Sequence, residues 1–423
     1  MRKLLLASMA ALGLSSGMAE AAYLSTVPAA TTTPGTLTVR LNGRFVWYAG
    51  VAGSSLDNVN GGKLAPQTMQ GYIRLYPGFE GVLQNGMKYG ALLEFRQNFA
   101  SPVGASVGGN TTQSTLFVRR ATGYIGSDQL GTFRFGQTDG PATLFLTGTF
   151  EGFDDGGWNG DLPAFLPGNA QPAYPFPSQS ALYGSDKVVY LSPSFYGFDF
   201  GVSYAPNTSA LQNNGGGCAT GGLAGGCDRQ TSSLAASDIG RRTNMVEAQV
   251  RYRGTFSGVG LAVAGGYIGA GVVQNGGNPL VGQFKHQDIL NLGATISFGG
   301  FSFGGNAQTG SYNGGSFGAK QAGLPNATAW IAGAQYQTGP ITVGAHYFKN
   351  YTGGSAASTT GMRNEGGVAV GSTYQLTPGV SLFASYIYGN RHETGLDFAT
   401  GLPGSAHNNV QGQAFAVGTL MNW

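Results

Sequence analysis

Five arginines hold positions from which they could act together. Arg40 and Arg44 lie four residues apart on one face of the alternating run Thr36–Tyr48, and Arg74, Arg96 and Arg134 take equivalent places in the runs that follow. Arginine stays charged at any working pH, presents a planar fork to carboxylates and stacks on aromatic rings. A second group lies in the stretch Thr138–Asp186, where Glu151, Asp154 and Asp155 cluster, with Asp139 and Asp161 on either side. Two unit charges 4 Å apart attract by about 1 kcal/mol in bulk water and by about four times that at an effective dielectric of 20. Opposed across a narrow aqueous gap, these groups would make a transverse field that orders water and sorts ions. Lys88 and Arg119 are further candidates for the basic side, and Glu94 beside Arg96 supplies a local counter-charge.

The acidic stretch is unusual in itself. It holds six prolines and the aromatics Phe145, Phe150, Phe153, Trp158, Phe165, Tyr174, Phe176 and Tyr183. A connection this long is either functional or disordered. So many rings need a surface to pack on, which argues for order. The expectation is a loop folded back into a barrel lumen, facing the arginines.

Other chemistry is sparse. Asp154, Asp155 and Asp161 offer clustered oxygens to a Ca²⁺ ion, without the spacing of an EF-hand. Polar loops often have this composition, so the expected cofactor is none, with structural Ca²⁺ as the alternative. Cys218 and Cys227 sit in a Gly-rich segment and suit a disulfide staple in an oxidising compartment. Of the histidines His286, His346, His392 and His407, only His346 falls on an inward strand face, where a hydrated lumen residue is the expectation. Nothing singles out a His–Ser pair, and no glycine loop joins a strand to a helix as a nucleotide site requires. The expectation is a protein that is not an enzyme.

The arginines need strands to align them. A wall with lipid on one side and water on the other alternates with period two. In Thr36–Tyr48, Leu37, Val39, Leu41, Phe45 and Trp47 share one face, and Thr38, Arg40, Asn42, Arg44 and Tyr48 the other. The pattern recurs around residues 69–76, 87–98, 115–125 and 132–135. After the long loop it continues at 187–192, 197–204, 244–253, 259–268, 288–298, 301–311, 328–336, 341–349, 365–374, 381–388 and 411–423. That predicts sixteen antiparallel strands. Their connections alternate short and long, as in an outer-membrane barrel with short periplasmic turns and long external loops. In 115–125 strict parity puts Arg119 inside and Arg120 toward lipid, where a charge is costly. Either a subunit interface buries Arg120 or the alternation breaks there. Tyr48, Tyr76, Tyr89, Tyr204, Tyr347 and Tyr388 suit aromatic girdles.

Composition agrees. The 423 residues include 74 Gly and are only 10% charged, against roughly 25% in soluble domains. Mean hydropathy is −0.04, as expected where lipid-facing and water-facing residues cancel. Residues 1–22 carry a basic start, an apolar core from Leu4 to Leu14 and Ala19-Glu20-Ala21, the pattern of a secretory signal peptide. Without it Lys+Arg falls from 22 to 20 and Asp+Glu from 19 to 18, a balance that implies no nucleic-acid partner. Residues 23–35 read as a periplasmic lead-in and 36–423 as the barrel, with 138–186 its constriction loop.

On these features the chain resembles the trimeric general-diffusion porins of Gram-negative bacteria. The resemblance rests on the sixteen strands, the long third external loop, the strand pair Arg120–Gly126 and Leu130–Gly136, the acidic segment Glu151–Gly156 and the aromatic C-terminal residue Trp423. The family ends more often in Phe, and its third loop is usually shorter. The resemblance implies a water-filled outer-membrane pore for small hydrophilic solutes and ions. It also implies a homotrimer, an acidic third loop facing a basic wall, and a terminal aromatic read by the outer-membrane assembly machinery. A sugar-selective porin and a plugged adhesin or structural barrel are the alternatives.

Overall fold

The computed structural model describes residues 34–59, 66–98, 115–153, 157–176, 185–207, 242–272, 284–314, 320–355 and 362–423. The signal-peptide region, most of the lead-in, Asp154, Asp155, Cys218 and Cys227 lie outside these residues.

The strands are β1 (Leu37–Ser54), β2 (Gln67–Val82), β3 (Lys88–Asn98), β4 (Thr115–Ser127) and β5 (Gly131–Gln137). After the long loop come β6 (Asp186–Leu191), β7 (Phe198–Asn207), β8 (Arg242–Phe256), β9 (Val259–Val272), β10 (Gln287–Phe298) and β11 (Phe301–Gly310). Then follow β12 (Ala327–Thr338), β13 (Ile341–Thr352), β14 (Arg363–Thr377), β15 (Val380–His392), β16 (Leu396–Asp397), β17 (Leu402–Pro403) and β18 (Asn409–Asn422). β1–β15 and β18 form one closed sixteen-stranded antiparallel barrel, with β1 hydrogen-bonded to both β2 and β18. Closure leaves no strand edge with unpaired backbone groups, which hydrocarbon would penalise. β16 and β17 make a small hairpin in the last external connection.

Alternation sets the two faces. On β1, Leu37, Val39, Leu41 and Trp47 are exposed on the outer wall, whereas Arg44, Val46 and Tyr48 are buried inside. β1 has 18 residues and β2 has 16. A tilted strand needs about 9–11 to cross the bilayer, so both outrun the membrane and their connection is shorter than expected.

The alternation breaks at the point of doubt. Glu94 pairs with Arg120, but its neighbour Phe95 pairs with Val118, leaving Arg119 as an extra residue in β4. Such a bulge resets which side chains point inward. Arg119 and Arg120 are both buried, and both reach Glu94. The lipid-facing placement of Arg120 is thereby corrected.

The loop between β5 and β6 lies inside the barrel. It contains a one-turn helix, α1 (Pro141–Leu144), and 3-10 turns at Leu162–Phe165 and Gly168–Ala170. Phe150, Phe153, Trp158, Leu162, Leu166, Tyr174 and Phe176 form one apolar cluster with inward residues of β1, β2, β12–β15 and β18, among them Tyr48, Phe348 and Ile387. Each large side chain so buried contributes about 1.5–3 kcal/mol. Tyr48 is fully buried here, not at the lipid boundary as the girdle reading has it.

Glycine lets the loop come so close. Phe348, Gly367, Gly389 and Gly412 follow one another in register across β13, β14, β15 and β18. Trp158 lies on this row and donates its indole N–H to the Val368 carbonyl at 2.9 Å. A Cβ at Gly389 would stand 2.6 Å from both Trp158 and Pro172, and one at Gly344 2.6 Å from Phe153. The bare wall is a seat for the loop.

Candidate functional site

Away from the glycine row, the inner wall is basic. Arg44 on β1 is the cross-strand partner of Arg74 on β2, and Arg74 is that of Arg96 on β3. Three guanidinium groups therefore start from one row across three adjacent strands. Parity puts them all inside, and register puts them level.

Each has a neighbour that holds it. Arg44 donates to the Tyr72 hydroxyl at 2.9 Å. The Arg74 guanidinium lies 4.5 Å from the centre of the Tyr72 ring and 3.1 Å from Asp161 Oδ2 of the loop. Arg96 pairs with Glu94. Arg40, nearer the short-turn end, is 4.0 Å from Glu80, which also accepts from the Tyr124 hydroxyl at 3.0 Å. Arg134 is buried on the inner face of β5. Arg119 donates to Glu94 at 3.0 Å, and Arg120 lies 2.8 Å from the same carboxylate. Glu94 thus receives three arginines. Lys88 does not join them: it pairs at 3.1 Å with the exposed Asp128 of a short turn, at the barrel rim.

The loop's acidic groups separate. Among the described residues Asp161 reaches the arginine row, and 28% of its side chain stays accessible. Asp139 is fully buried at the loop root, 3.1 Å from Arg120. Glu151, expected on the face toward the wall, accepts from Asn159 and from the Tyr174 hydroxyl of the loop itself. Burial and this carboxylate hold the Tyr174 phenol well above its ordinary pKa. Asp161 is the one described member of the Ca²⁺ candidate set, and Arg74 occupies it. Among the described residues no three His, Cys, Asp or Glu side chains gather as metal ligands.

His346 also differs from expectation. It is buried rather than hydrated, and its Nδ1 donates to the Phe150 carbonyl at 3.0 Å. Phe150 has φ of 51°, where a bulky residue needs support from its surroundings. Two residues were legible but missed. Glu80 shares the inward parity of Arg74 once β2 is continued beyond Pro77. Tyr72 sits between Arg44 and Arg74 on that same face.

Trp423 closes the barrel seam. Its backbone exchanges hydrogen bonds of 3.1 Å in both directions with Gly43 of β1, and its indole lies against that glycine. The ring is 53% exposed on the outer wall.

Solved structures share this architecture. An anion-selective porin from Comamonas acidovorans is 16% identical and superposes with a TM-score of 0.54, covering 92% of this chain and 100% of its own. Salmonella typhi OmpF, in complex with daunomycin, gives 14% and 0.56, with 91% and 97% covered. The trimer form of in-vitro folded OmpT from Vibrio cholerae gives 12% and 0.53, with 92% and 100% covered. No curated protein matches the chain. A family model described as Gram-negative porin matches residues 7–394, the span that runs from the N-terminal region through the arginine row and the inserted loop to the last external connection. The barrel and its lumen are therefore those of the Gram-negative porin family, to which this chain belongs, and it is an outer-membrane channel for passive diffusion.

Proposed function

We propose that the conducting path runs between the arginine row and the accessible edge of the inserted loop, and that it admits small hydrophilic solutes with a preference for anions. The observation that carries this is the level alignment of Arg44, Arg74 and Arg96 opposite Asp161. Seven arginines (Arg40, Arg44, Arg74, Arg96, Arg119, Arg120 and Arg134) stand against seven carboxylates, Glu80, Glu94, Asp139, Glu151 and Asp161 with Asp154 and Asp155 of the loop sequence, so the preference rests on how the arginines are grouped and not on net charge. Guanidinium groups gathered in one row on a low-dielectric wall raise the local concentration of anions along it. No energy coupling or catalytic step is part of this mechanism. His346, the one lumen histidine weighed for chemistry, is occupied as a hydrogen-bond donor to the loop.

The protein works as a homotrimer in this reading. At the short-turn end, exposed Phe133, Phe198, Phe256, Phe298, Phe301 and Tyr374 ring the outer wall from β5 to β14. β1 and β15 instead present Leu37, Val39, Leu41 and Leu382, with Trp423 the one ring between them at this end. Aromatic rings favour the lipid headgroup boundary, so the aliphatic sector suits contact with another subunit. Trp423 is the residue that the assembly machinery would read, and Cys218 with Cys227 would form an external staple.

Planar-bilayer recording tests the proposal. The expected result is ohmic steps closing in threes, with a reversal potential of anion sign under a salt gradient. A cation-sign reversal potential overturns the anion preference. Block by one sugar would favour the sugar-selective alternative, and no conductance with no swelling of vesicles in sugars would favour the plugged barrel.

A further inference from the structure

Beside the bulge in β4 stands an arginine that can hold the loop rather than line the path. We infer that Arg120 is a positioning residue that sets the width of the channel by fixing where the constriction loop leaves the wall; this rests on the channel reading above.

The geometry runs from wall to loop through one side chain. Arg120 Nη1 is 2.8 Å from Glu94 Oε2 on β3, and its Nη2 is 3.1 Å from Asp139 Oδ2. Asp139 lies two residues beyond the end of β5 and is fully buried. Glu94 is 2% and Arg120 5% exposed. These groups are screened from water, so removing one partner leaves a buried charge unpaired. Arg120 shares the inward parity of Thr122 and Tyr124, and the extra residue at Arg119 lets a second arginine turn inward beside it.

The opposite side of the loop root is held independently. Glu247 on β8 accepts from the Ala142 amide at 3.0 Å and pairs with Lys187 of β6 at 3.2 Å. Gly140 precedes α1, and a Cβ there would collide with the Glu247 carboxylate. The segment from Asp139 to Ala142 is therefore clamped between β4 on one side and β6 with β8 on the other. The clamp sets the direction in which the loop leaves the wall, ahead of the seats that Phe153 and Trp158 take further along. Arg96 makes a useful contrast: it shares Glu94, but 18% of its side chain is accessible.

The test compares Arg120→Gln, Asp139→Asn and Arg96→Gln in single-channel recordings, each checked for a folded barrel by heat-dependent gel mobility. Arg96→Gln, which removes a charge of the path, should shift the reversal potential toward cations and keep a single open level without subconductance states. Arg120→Gln and Asp139→Asn should both change unitary conductance at least twofold and add subconductance levels. The double variant should resemble either single one, because both remove the same bridge. Arg120→Lys, which keeps the charge but not the fork, should restore the reversal potential and not the steady conductance. If Arg120→Gln fails to fold, Asp139→Asn still decides, since it leaves the wall untouched. The inference is overturned if Arg120→Gln only shifts the reversal potential as Arg96→Gln does, or if Asp139→Asn leaves conductance unchanged. Absence of any conductance in the unaltered protein would instead refute the channel reading itself.

Discussion

Arg44 and Arg74 face each other directly across β1 and β2, two like charges at a position where a sheet ordinarily avoids them. Tyr72 lies between them, accepting a hydrogen bond from one and offering its ring face to the other. Asp161 reaches Arg74 from the loop. An arrangement that costs stability yet is propped on several sides is expected where a fold serves function.

Removing one charge of the row should therefore change selectivity more than folding. Arg74→Gln is expected to lower the anion-to-cation permeability ratio roughly two- to fivefold at 0.1 M salt, from an interaction of order 1 kcal/mol at short range in water. At about 1 M salt, where the screening length falls to about 3 Å, the difference should nearly vanish. Reversal potentials measured at both concentrations check this. An unchanged ratio at low salt would remove Arg74 from the conducting path.

The glycine row should be as exacting as the arginine row. At Gly367 a side chain would enter the space of the Trp158 indole and of Phe348. Gly367→Val is expected to destabilise the barrel by about 1–3 kcal/mol through overpacking and to displace the loop. Tryptophan fluorescence reports it: Trp158 is 2% exposed inside, while Trp47, Trp330 and Trp423 are exposed on the outer wall facing lipid. Aqueous iodide should gain a quenchable fraction in Gly367→Val, and Trp158→Phe should abolish that fraction. If iodide quenching stays as in the unaltered protein, the row does not seat the loop.

Much of this was legible in the sequence, for reasons that particular residues show. A strand repeats every two residues, so Leu37, Val39 and Leu41 announce one face and Arg40 and Arg44 the other. Parity also carried Arg74, Arg96 and Arg134 inside. Parity fails wherever one residue is added, and the insertion at Arg119 leaves no compositional mark. The seat of the loop was hidden for another reason. Trp158 and the Val368 carbonyl it binds are 210 positions apart, and Arg74 and Asp161 are 87 apart. Pairings at such separations follow from the closure of the barrel and not from any local pattern. Gly367 and Gly389 read as composition until a ring lies on them.

His346 should prove to be a loop anchor. Its donation to the Phe150 carbonyl supports a backbone at positive φ. His346→Leu would leave that buried carbonyl without this partner, at a cost of about 1–3 kcal/mol, and should increase open-channel noise without altering the reversal potential. Phe150→Gly accepts the same backbone angle freely but deletes a ring from the apolar cluster. Noise should therefore also rise there, and combining the two changes should add little. A quiet His346→Leu channel would refute the anchor.

The last external connection should stabilise the loop from outside. Arg391 on β15 pairs with the fully buried Glu365 of β14, donates to the Asn169 carbonyl at 2.8 Å and lies 4.5 Å from the Phe398 ring centre. Asn169 returns a hydrogen bond to the Phe398 carbonyl at 3.1 Å. Leu56, Ala170, Leu396, Phe398 and Val410 close an apolar cluster beneath. Arg391→Met strands Glu365 without its partner, and losing one member of a buried pair costs about 3–5 kcal/mol. The expected outcome is a lower thermal transition by gel mobility and faster proteolysis near the β16–β17 hairpin. Glu365→Gln together with Arg391→Met should recover most of the thermal loss, because no charge is then left buried. The hairpin contacts with Asn169 would stay weakened, so the proteolytic sensitivity should persist. Recovery of both together would show that Arg391 serves only the wall, and recovery of neither would show that the stranded charge was not the cause.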